Sequence, residues 1–364
     1  MNKINKIKLL KLIDRVVGAP LISVLPAIKR TFNTAKKQDR ILIIRPGGIG
    51  DAVLLLPAIR ALKTEFRDSE IDVLCEKRNA GIISLSEDID RIYLYDKGDG
   101  LIRCLRNGYD AVIDTEQWHR LSAVAAYISS APLRIGFDTN ERANLFTHGV
   151  PYSHEDYEVF SFFHLIEPLI HSAPEFDPDK PFLGVPAEPP SALSAVREED
   201  GIISIFPGAS VNERRWGGEK FGKAAGILRD KGYKIAVLGS RAEMADAAII
   251  KKNVECIDLV GRTNLRDTAL ALKMSRLLLT ADSGLMHIAY AVGTPTVSLF
   301  GAGMEKKWAP RGQRHVVLNR RLPCSPCTKF GYTPRCRRKV ECLSSISVDE
   351  VITAIEDILD KPRA

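Results

Sequence analysis

Three short segments hold the side chains that could do chemistry. The first is Pro46-Gly47-Gly48-Ile49-Gly50-Asp51, where a carboxylate closes a glycine-rich turn. Glycine lets the backbone approach a ligand closely, and a following helix offers free N–H groups to an anion. Asp51, at the mouth of a crevice outside a strand end, is placed to accept a proton from an attacking hydroxyl; a plain tight turn capped by Asp51 is the other reading. The second segment is Thr280-Ala281-Asp282-Ser283-Gly284-Leu285-Met286-His287. Asp282 or Ser283 can cap a helix there, and the Ser283 and Gly284 amides can face a phosphate. His287 falls one turn inside that helix, where, taken by itself, a capped helix with a buried histidine is the favoured reading. The third runs from Pro207-Gly208-Ala209-Ser210 to Arg214-Arg215-Trp216. Its guanidinium groups offer forked donors that never lose charge, which suits a diphosphate leaving group, although arginines beside a Trp also make simple stacking pairs. None of these segments is G-x-G-x-x-G or G-x4-G-K-[ST], so a nicotinamide enzyme or a P-loop NTPase is not supported.

The elements that must position these groups can be read from apolar runs. Ile41 to Arg45 reads as a strand entering the first glycine turn, and Ala52, Leu55, Leu56, Ile59 and Leu62 then follow helical spacing. Further runs at 71–75, 91–95 and 110–114 alternate with helix-length segments, the signature of a parallel sheet wound with helices. Six prolines lie between Pro174 and Pro190, and proline continues neither helix nor sheet, so a linker is expected there. Ile202 to Phe206 then runs into Pro207-Gly208-Ala209, repeating the pattern at 41–48, with further runs at 233–238, 256–260, 276–280 and 295–300. The expected organisation is a basic amphipathic segment over 1–40, a Rossmann-like domain over 41–175, a Pro-rich linker over 176–200, and a second Rossmann-like domain over 201–364 with a Cys-rich loop at 323–343. Two facing α/β domains would put ligands in the cleft at their strand ends.

Composition narrows the function classes. The 364 residues are 45% hydrophobic and 27% charged, ordinary globular values. The longest apolar candidate, residues 16–28, is too short and too interrupted by Gly18, Pro20 and Pro26 to cross a bilayer. The net charge of +7 is local: residues 1–40 carry ten Lys/Arg against Asp14 and Asp39, and residues 305–340 carry eleven against Glu305. Two basic patches on an acidic body fit an anionic surface or substrate better than a nucleic acid, and no nucleic-acid partner is expected. Over residues 4–17 apolar side chains fall near helical spacing with lysines at 3, 6, 8 and 11, a pattern that rests on an anionic membrane or packs on its own domain. No apolar stretch followed by a small-residue cleavage site opens the chain, so a reducing cytoplasm is expected. Cys324, Cys327, Cys336 and Cys342 form C-x2-C-x8-C-x5-C, four thiolates that suit a structural zinc or iron–sulfur cluster, or that stay unmetallated or disulfide-paired.

Taken together, Gly50-Asp51 with Pro57, the Pro-Gly-Ala-Ser to Arg-Trp segment, the Asp282 to His287 box, Gly293-x-Pro295, Phe300-Gly301 and Trp308-x-Pro310 resemble glycosyltransferase family 9 over about residues 41–355. That family contains the ADP-heptose:lipopolysaccharide heptosyltransferases. The resemblance implies a GT-B fold, an acceptor domain followed by a nucleotide-sugar domain, and inversion at the anomeric carbon with no cofactor needed for catalysis. It implies Asp51 as general base and Arg214 as diphosphate partner, at a position where most members carry Lys. Gly208, Ser210, Glu243, Asp282, Ser283, Gly284 and His287 would surround ADP-heptose. Arg45, Gly48, Gly50 and Arg120 would face a lipopolysaccharide-core or lipid-linked glycan acceptor, presented at the cytoplasmic face of the inner membrane. A nucleotide-sugar-binding membrane scaffold without turnover, or a member using another donor sugar, are the alternatives.

Overall fold

The computed structural model describes residues 12–25, 27, 38–186, 188–198, 201–329 and 331–360. The chain divides into two compact units between Phe176 and Asp177. The first is built on β1 (Arg40–Arg45), β2 (Glu70–Cys75), β3 (Arg91–Leu94), β4 (Ala111–Asp114), β5 (Leu133–Phe137) and β6 (His148–Val150). The second is built on β7 (Ile203–Phe206), β8 (Ile235–Val237), β9 (Ile257–Asp258), β10 (Leu277–Ala281), β11 (Thr296–Phe300) and β12 (His315–Asn319). The first sheet runs β3-β2-β1-β4-β5-β6 and the second β12-β11-β10-β7-β8-β9, with every pairing parallel. Read from the β9 edge, the second repeats the order of the first. In both, the direction of winding reverses beside the first strand, at β1/β4 and at β7/β10, and such a reversal opens a crevice outside the carboxyl ends of the strands.

The central strands are aliphatic on both faces because helices cover both. Ile41 to Ile44 and Leu277 to Leu279 are buried, whereas the edge strands β3, β9 and β12 are only partly covered. Strands β5, β6 and β12 carry no clear apolar run. In β5, Arg134 and Gly136 interrupt the pattern, yet Gly136 is required, since a Cβ there would lie 2.2 Å from the Phe146 ring. The proline-rich stretch is not strung free of the second unit. The Phe182 and Leu183 amides both donate to the Ala291 carbonyl at 2.9 and 3.0 Å, and Asp179 accepts from the Gln313 amide at 2.7 Å.

Of the N-terminal segment, the π-helical turn Asp14–Gly18 and the helix Ala19–Val24 are described; Lys3, Lys6, Lys8 and Lys11 lie outside the described residues. One side is anchored. Asp14 accepts from the Arg120 and Leu121 amides at 2.7 and 2.8 Å, supplying the cap that the helix Arg120–Ile128 lacks from its own N-cap residue, His119. Ile22 joins the core, while Leu12, Ile13, Val16, Val17 and Val24 remain exposed.

Candidate active site

In the first unit the site is built at the end of β1. Gly47, at φ +100°, turns the chain out of the strand, and a Cβ there would lie 3.2 Å from the Arg45 guanidinium. The helix Ile49–Leu54 starts at once, with Asp51 in its first turn and no side-chain cap. Gly48 therefore serves the turn that delivers Asp51, since a Cβ on it would lie 3.2 Å from the Asp51 carboxylate, while Gly50 lies within the helix itself. Arg45, expected to face an anionic acceptor, is instead beneath the site, its side chain 1% exposed against 26% for Asp51. Its Nε donates to the Pro46 carbonyl at 2.6 Å and Nη1 to the Thr115 carbonyl at 2.8 Å; Nη2 lies 3.4 Å from Glu116 and 4.0 Å from Asp51. That differs from the direct-contact expectation: as the last residue of a strand buried on both faces, Arg45 points inward and is held by the protein itself.

The surroundings are acidic. Glu158 is fully buried, accepting from Gln117 Nε2 at 2.6 Å and from the Tyr152 hydroxyl at 3.2 Å, and Asp114 pairs with fully buried Arg142. Burial opposes the charge of Arg45, but the carboxylates of Asp51 and then Glu116 outweigh it and hold Arg45 above its ordinary value. Burial likewise opposes ionisation of Glu116, and Arg45 overcomes it, leaving that carboxyl below its usual range. Arg120 donates to Glu141 at 2.8 Å, so its charge is already engaged. Glu116, Asp114, Glu158 and Arg142 were not found by sequence reasoning, because a charged residue looks solvated until the fold shows it buried.

The second unit gathers its groups at the ends of β7 and β10. Arg214 stands on the 3-10 turn Asn212–Arg214, with Nη1 3.0 Å from Asp282 and Nη2 donating to Thr328 Oγ1 at 3.3 Å. Here the burial is reversed: the Asp282 side chain is 5% exposed and that of Arg214 16%. Ser283 caps the helix Gly284–Ala291, accepting from the Met286 amide at 3.4 Å, so the first amides of that helix stay open to an anion. Gly303 has no room for a side chain, since a Cβ would lie 1.9 Å from Asp282. Arg215 turns to Asp246 at 3.0 Å, and Trp216 is buried, donating to the Ile346 carbonyl at 3.1 Å, so no Arg–Trp stack forms.

His287 is buried on the same helix and is pushed down to about 4, first by burial and then by Arg214, against the pull of Asp282; it is a neutral group at neutral pH. Arg214 Nε, Arg215 Nε, Asp282 Oδ2 and His287 Nδ1 are buried without a hydrogen-bond partner in the protein, the Arg214–Asp282 contact being an ion pair that is not aligned as a hydrogen bond. Unsatisfied buried polar atoms gathered at one strand end mark a place where a polar ligand belongs. Gly208 abuts Glu243, 2.5 Å from a built Cβ, and Ser210 is exposed. Glu243 is occupied locally: its carboxylate accepts from the Ser240 amide and hydroxyl at 2.8 and 2.7 Å in a capping box.

Cys324, Cys327, Cys336 and Cys342 are all free thiols lining one cavity of about 280 Å³ together with Glu213 and three arginines. Burial, and then the neighbouring thiols, raise Cys327 and Cys342. Among the described residues, no three His, Cys, Asp or Glu side chains already stand grouped as metal ligands.

Comparison with known proteins places the chain in a family. Residues 100–334 match the model of glycosyltransferase family 9 (heptosyltransferase). Lipopolysaccharide heptosyltransferase 3 of Escherichia coli K12 is 28% identical over 345 residues, 86% of this chain and 97% of that protein. Among solved structures, a family 9 glycosyl transferase of Veillonella parvula superposes with a TM-score of 0.75 at 21% identity, covering 90% of this chain and 99% of the other. The ADP-heptose lipopolysaccharide heptosyltransferase II of Escherichia coli superposes with a TM-score of 0.71 at 21% identity, covering 88% and 98%.

Proposed function

The chain belongs to glycosyltransferase family 9 and is a glycosyltransferase with two Rossmann-like units of the GT-B kind, and we propose that it moves heptose, with inversion, from ADP-heptose to a lipopolysaccharide inner-core or related glycan acceptor. The observation that carries this is the opposite burial of the two Arg–Asp pairs. At the end of β1 the carboxylate is the outer partner, as a base that must meet an acceptor hydroxyl requires. At the end of β10 the guanidinium is the outer partner, beside the open amides after Ser283, as a diphosphate leaving group requires. Asp51 takes the acceptor proton as the oxygen attacks the anomeric carbon. Arg214 and the Ser283 and Gly284 amides take up the charge that develops on the departing diphosphate. His287, neutral and lacking a protein partner at Nδ1, supplies a hydrogen bond rather than a charge. The donor follows the ADP-heptose in the name of the Escherichia coli relative, and the acceptor follows the lipopolysaccharide in both relatives' names. No step in this reading uses a metal ion.

The protein acts, in this reading, peripherally on the cytoplasmic face of the inner membrane. Among the described residues no helix is long and apolar enough to cross a membrane. Support comes from the exposed Leu12, Ile13, Val16, Val17 and Val24 on a segment whose other side is fastened by Asp14, next to a lysine-rich chain start. The test of the reaction is purified protein incubated with ADP-heptose and heptose-deficient lipopolysaccharide, with and without EDTA, and the product's anomeric configuration read by NMR. An inverted linkage formed equally well in EDTA supports the reading; turnover only with another nucleotide sugar, or none, contradicts it.

A further inference from the structure

The four cysteines of the loop before the last helices are not needed for the transfer, yet the fold collects them. Cys324, Cys327, Cys336 and Cys342 line one cavity and none is in a disulfide. The loop is built around the sulfurs. Backbone amides of Arg338 and Val340 both donate to Cys336 Sγ at 3.4 Å, so the chain wraps around this sulfur. To turn those amides inward, Lys339 and Val340 take left-handed φ values of 49° and 57°, a conformation a β-branched residue rarely adopts. Gly301 has no side chain because Cys342 Sγ occupies its place, 2.6 Å from a built Cβ. Arg335, Arg337 and Arg338 line the same cavity, and their charge offsets the net −2 that four thiolates around a divalent ion carry.

The cavity wall is also the back of the donor site. Amides of Cys327 and Thr328 both donate to the Ala302 carbonyl, at 3.1 and 2.9 Å, and the Ser325 hydroxyl donates to the Gly301 carbonyl. The Cys336 amide donates to Glu213 at 3.4 Å, and Thr328 receives Arg214 at 3.3 Å. Arg214, and Gly303 beneath Asp282, thus stand on or next to the segments that the cysteine loop grips.

We propose that Cys324, Cys327, Cys336 and Cys342 close on one thiophilic divalent metal, zinc or ferrous iron, and that this metal braces the loop that holds Arg214 against Asp282. Binding deprotonates the thiols and releases the protons to solvent, with no change of oxidation state. Four thiolates fill a tetrahedral ion, so the metal positions and takes no part in the chemistry. As the side chains lie, the sulfurs must draw inward around the ion, and the open cavity gives them room. The donor-site half of the proposal rests on the function proposed above; the metal half does not.

The experiment uses the full chain purified without chelator or metal-affinity resin. Elemental analysis reads about one zinc or iron per chain, with near-ultraviolet thiolate-to-metal absorption marking the ferrous case, and exchange for Co(II) gives the intense d–d bands of a tetrahedral site. Cys336→Ser lowers the metal content severalfold, while Cys256→Ser, outside the cluster, leaves it unchanged. Stripping the metal from the wild-type chain raises amide hydrogen exchange at 212–216 and 325–328 by roughly tenfold and leaves β1 and β2 as they were. Protein free of metal after growth in zinc- and iron-replete medium, with four freely reactive cluster thiols, overturns the site. A bound metal whose removal leaves exchange at 212–216 unchanged overturns the brace. Faster exchange there with unaltered ADP affinity counts against the donor-site reading and leaves the metal standing.

Discussion

The ends of β1 and β10 use the same parts in opposite order. Each sheet stops at the point where its winding reverses, each stop is followed by a short helix, and each holds an Arg–Asp pair. In the first unit the arginine is sealed in and the aspartate looks out; in the second the aspartate is sealed and the arginine is the more exposed partner. Inverting which partner is buried inverts the charge that the site presents. In the function proposed above, one fold and one kind of ion pair serve both halves of a displacement, a base for the incoming oxygen and a cation for the outgoing one. The buried partner is no spectator, because an ion at a strand end covered by helices stays charged only if something opposite accompanies it.

The sharpest way to break this comparison is to neutralise each outer partner. Asp51→Asn should lower kcat by roughly 10³-fold, within the range general-base removal gives, with donor KM nearly unchanged; steady-state kinetics check it. Arg214→Gln should lower kcat/KM for the donor by ~10²-fold, as loss of one preorganised charge donor does. Neutralising the inner partner sharpens it further. Arg45→Gln leaves Glu116 buried without its cation and should cost about 3 kcal/mol of stability in denaturant unfolding.

His287 gives a smaller, signed effect confined to the second unit. Its imidazole titrates at about 4 in the folded chain and at 6.5 when exposed, so between those values the unfolded chain binds a proton that the native one does not. Stability from this group is complete above 6.5 and falls as pH drops toward 4, by at most ~1.4 kcal/mol per unit. His287→Asn should show a shallower slope than wild type across that window in urea titrations. Smallest of all in folding energy, Leu12→Ser with Val16→Ser and Val17→Ser should change stability by under ~0.5 kcal/mol, since these side chains are already exposed. The same triple substitution should nonetheless weaken flotation with vesicles of anionic phospholipid; undiminished flotation counts against the membrane-facing role.

How much of this was legible in the sequence depends on what each residue's neighbours are. The first strand of each sheet and the turn after it could be read, because Ile41 to Arg45 and Ile202 to Phe206 are continuous apolar runs that stop at Pro and Gly. Strand β5 could not, because Gly136 is there for the Phe146 ring and Phe146 is ten residues away on another element. Asp51 and Asp282 stood out by spacing and motif. Arg45 stood out too but was turned the wrong way, since nothing local distinguishes an arginine that faces an acceptor from one that supports an aspartate from below. Glu116 and Glu158 left no signal at all: their role arises from burial beside Arg45, which only the pairing of β4 with β1 and the helix Glu158–Ile166, whose Phe162 ring faces the Arg45 guanidinium, create. Thr328 belongs to the same class, tied to Arg214 across more than a hundred residues of chain.

The most direct test of the opposed ion pairs is calorimetric titration of ADP into wild type, Asp51→Asn and Arg214→Gln under one set of conditions. The account predicts that Asp51→Asn binds ADP within about twofold of wild type, while Arg214→Gln loses ~10²-fold in affinity, the worth of one charge-assisted contact. Wild-type affinity in Arg214→Gln, or lost affinity in Asp51→Asn, would contradict the assignment of the base to the first unit and the leaving group to the second.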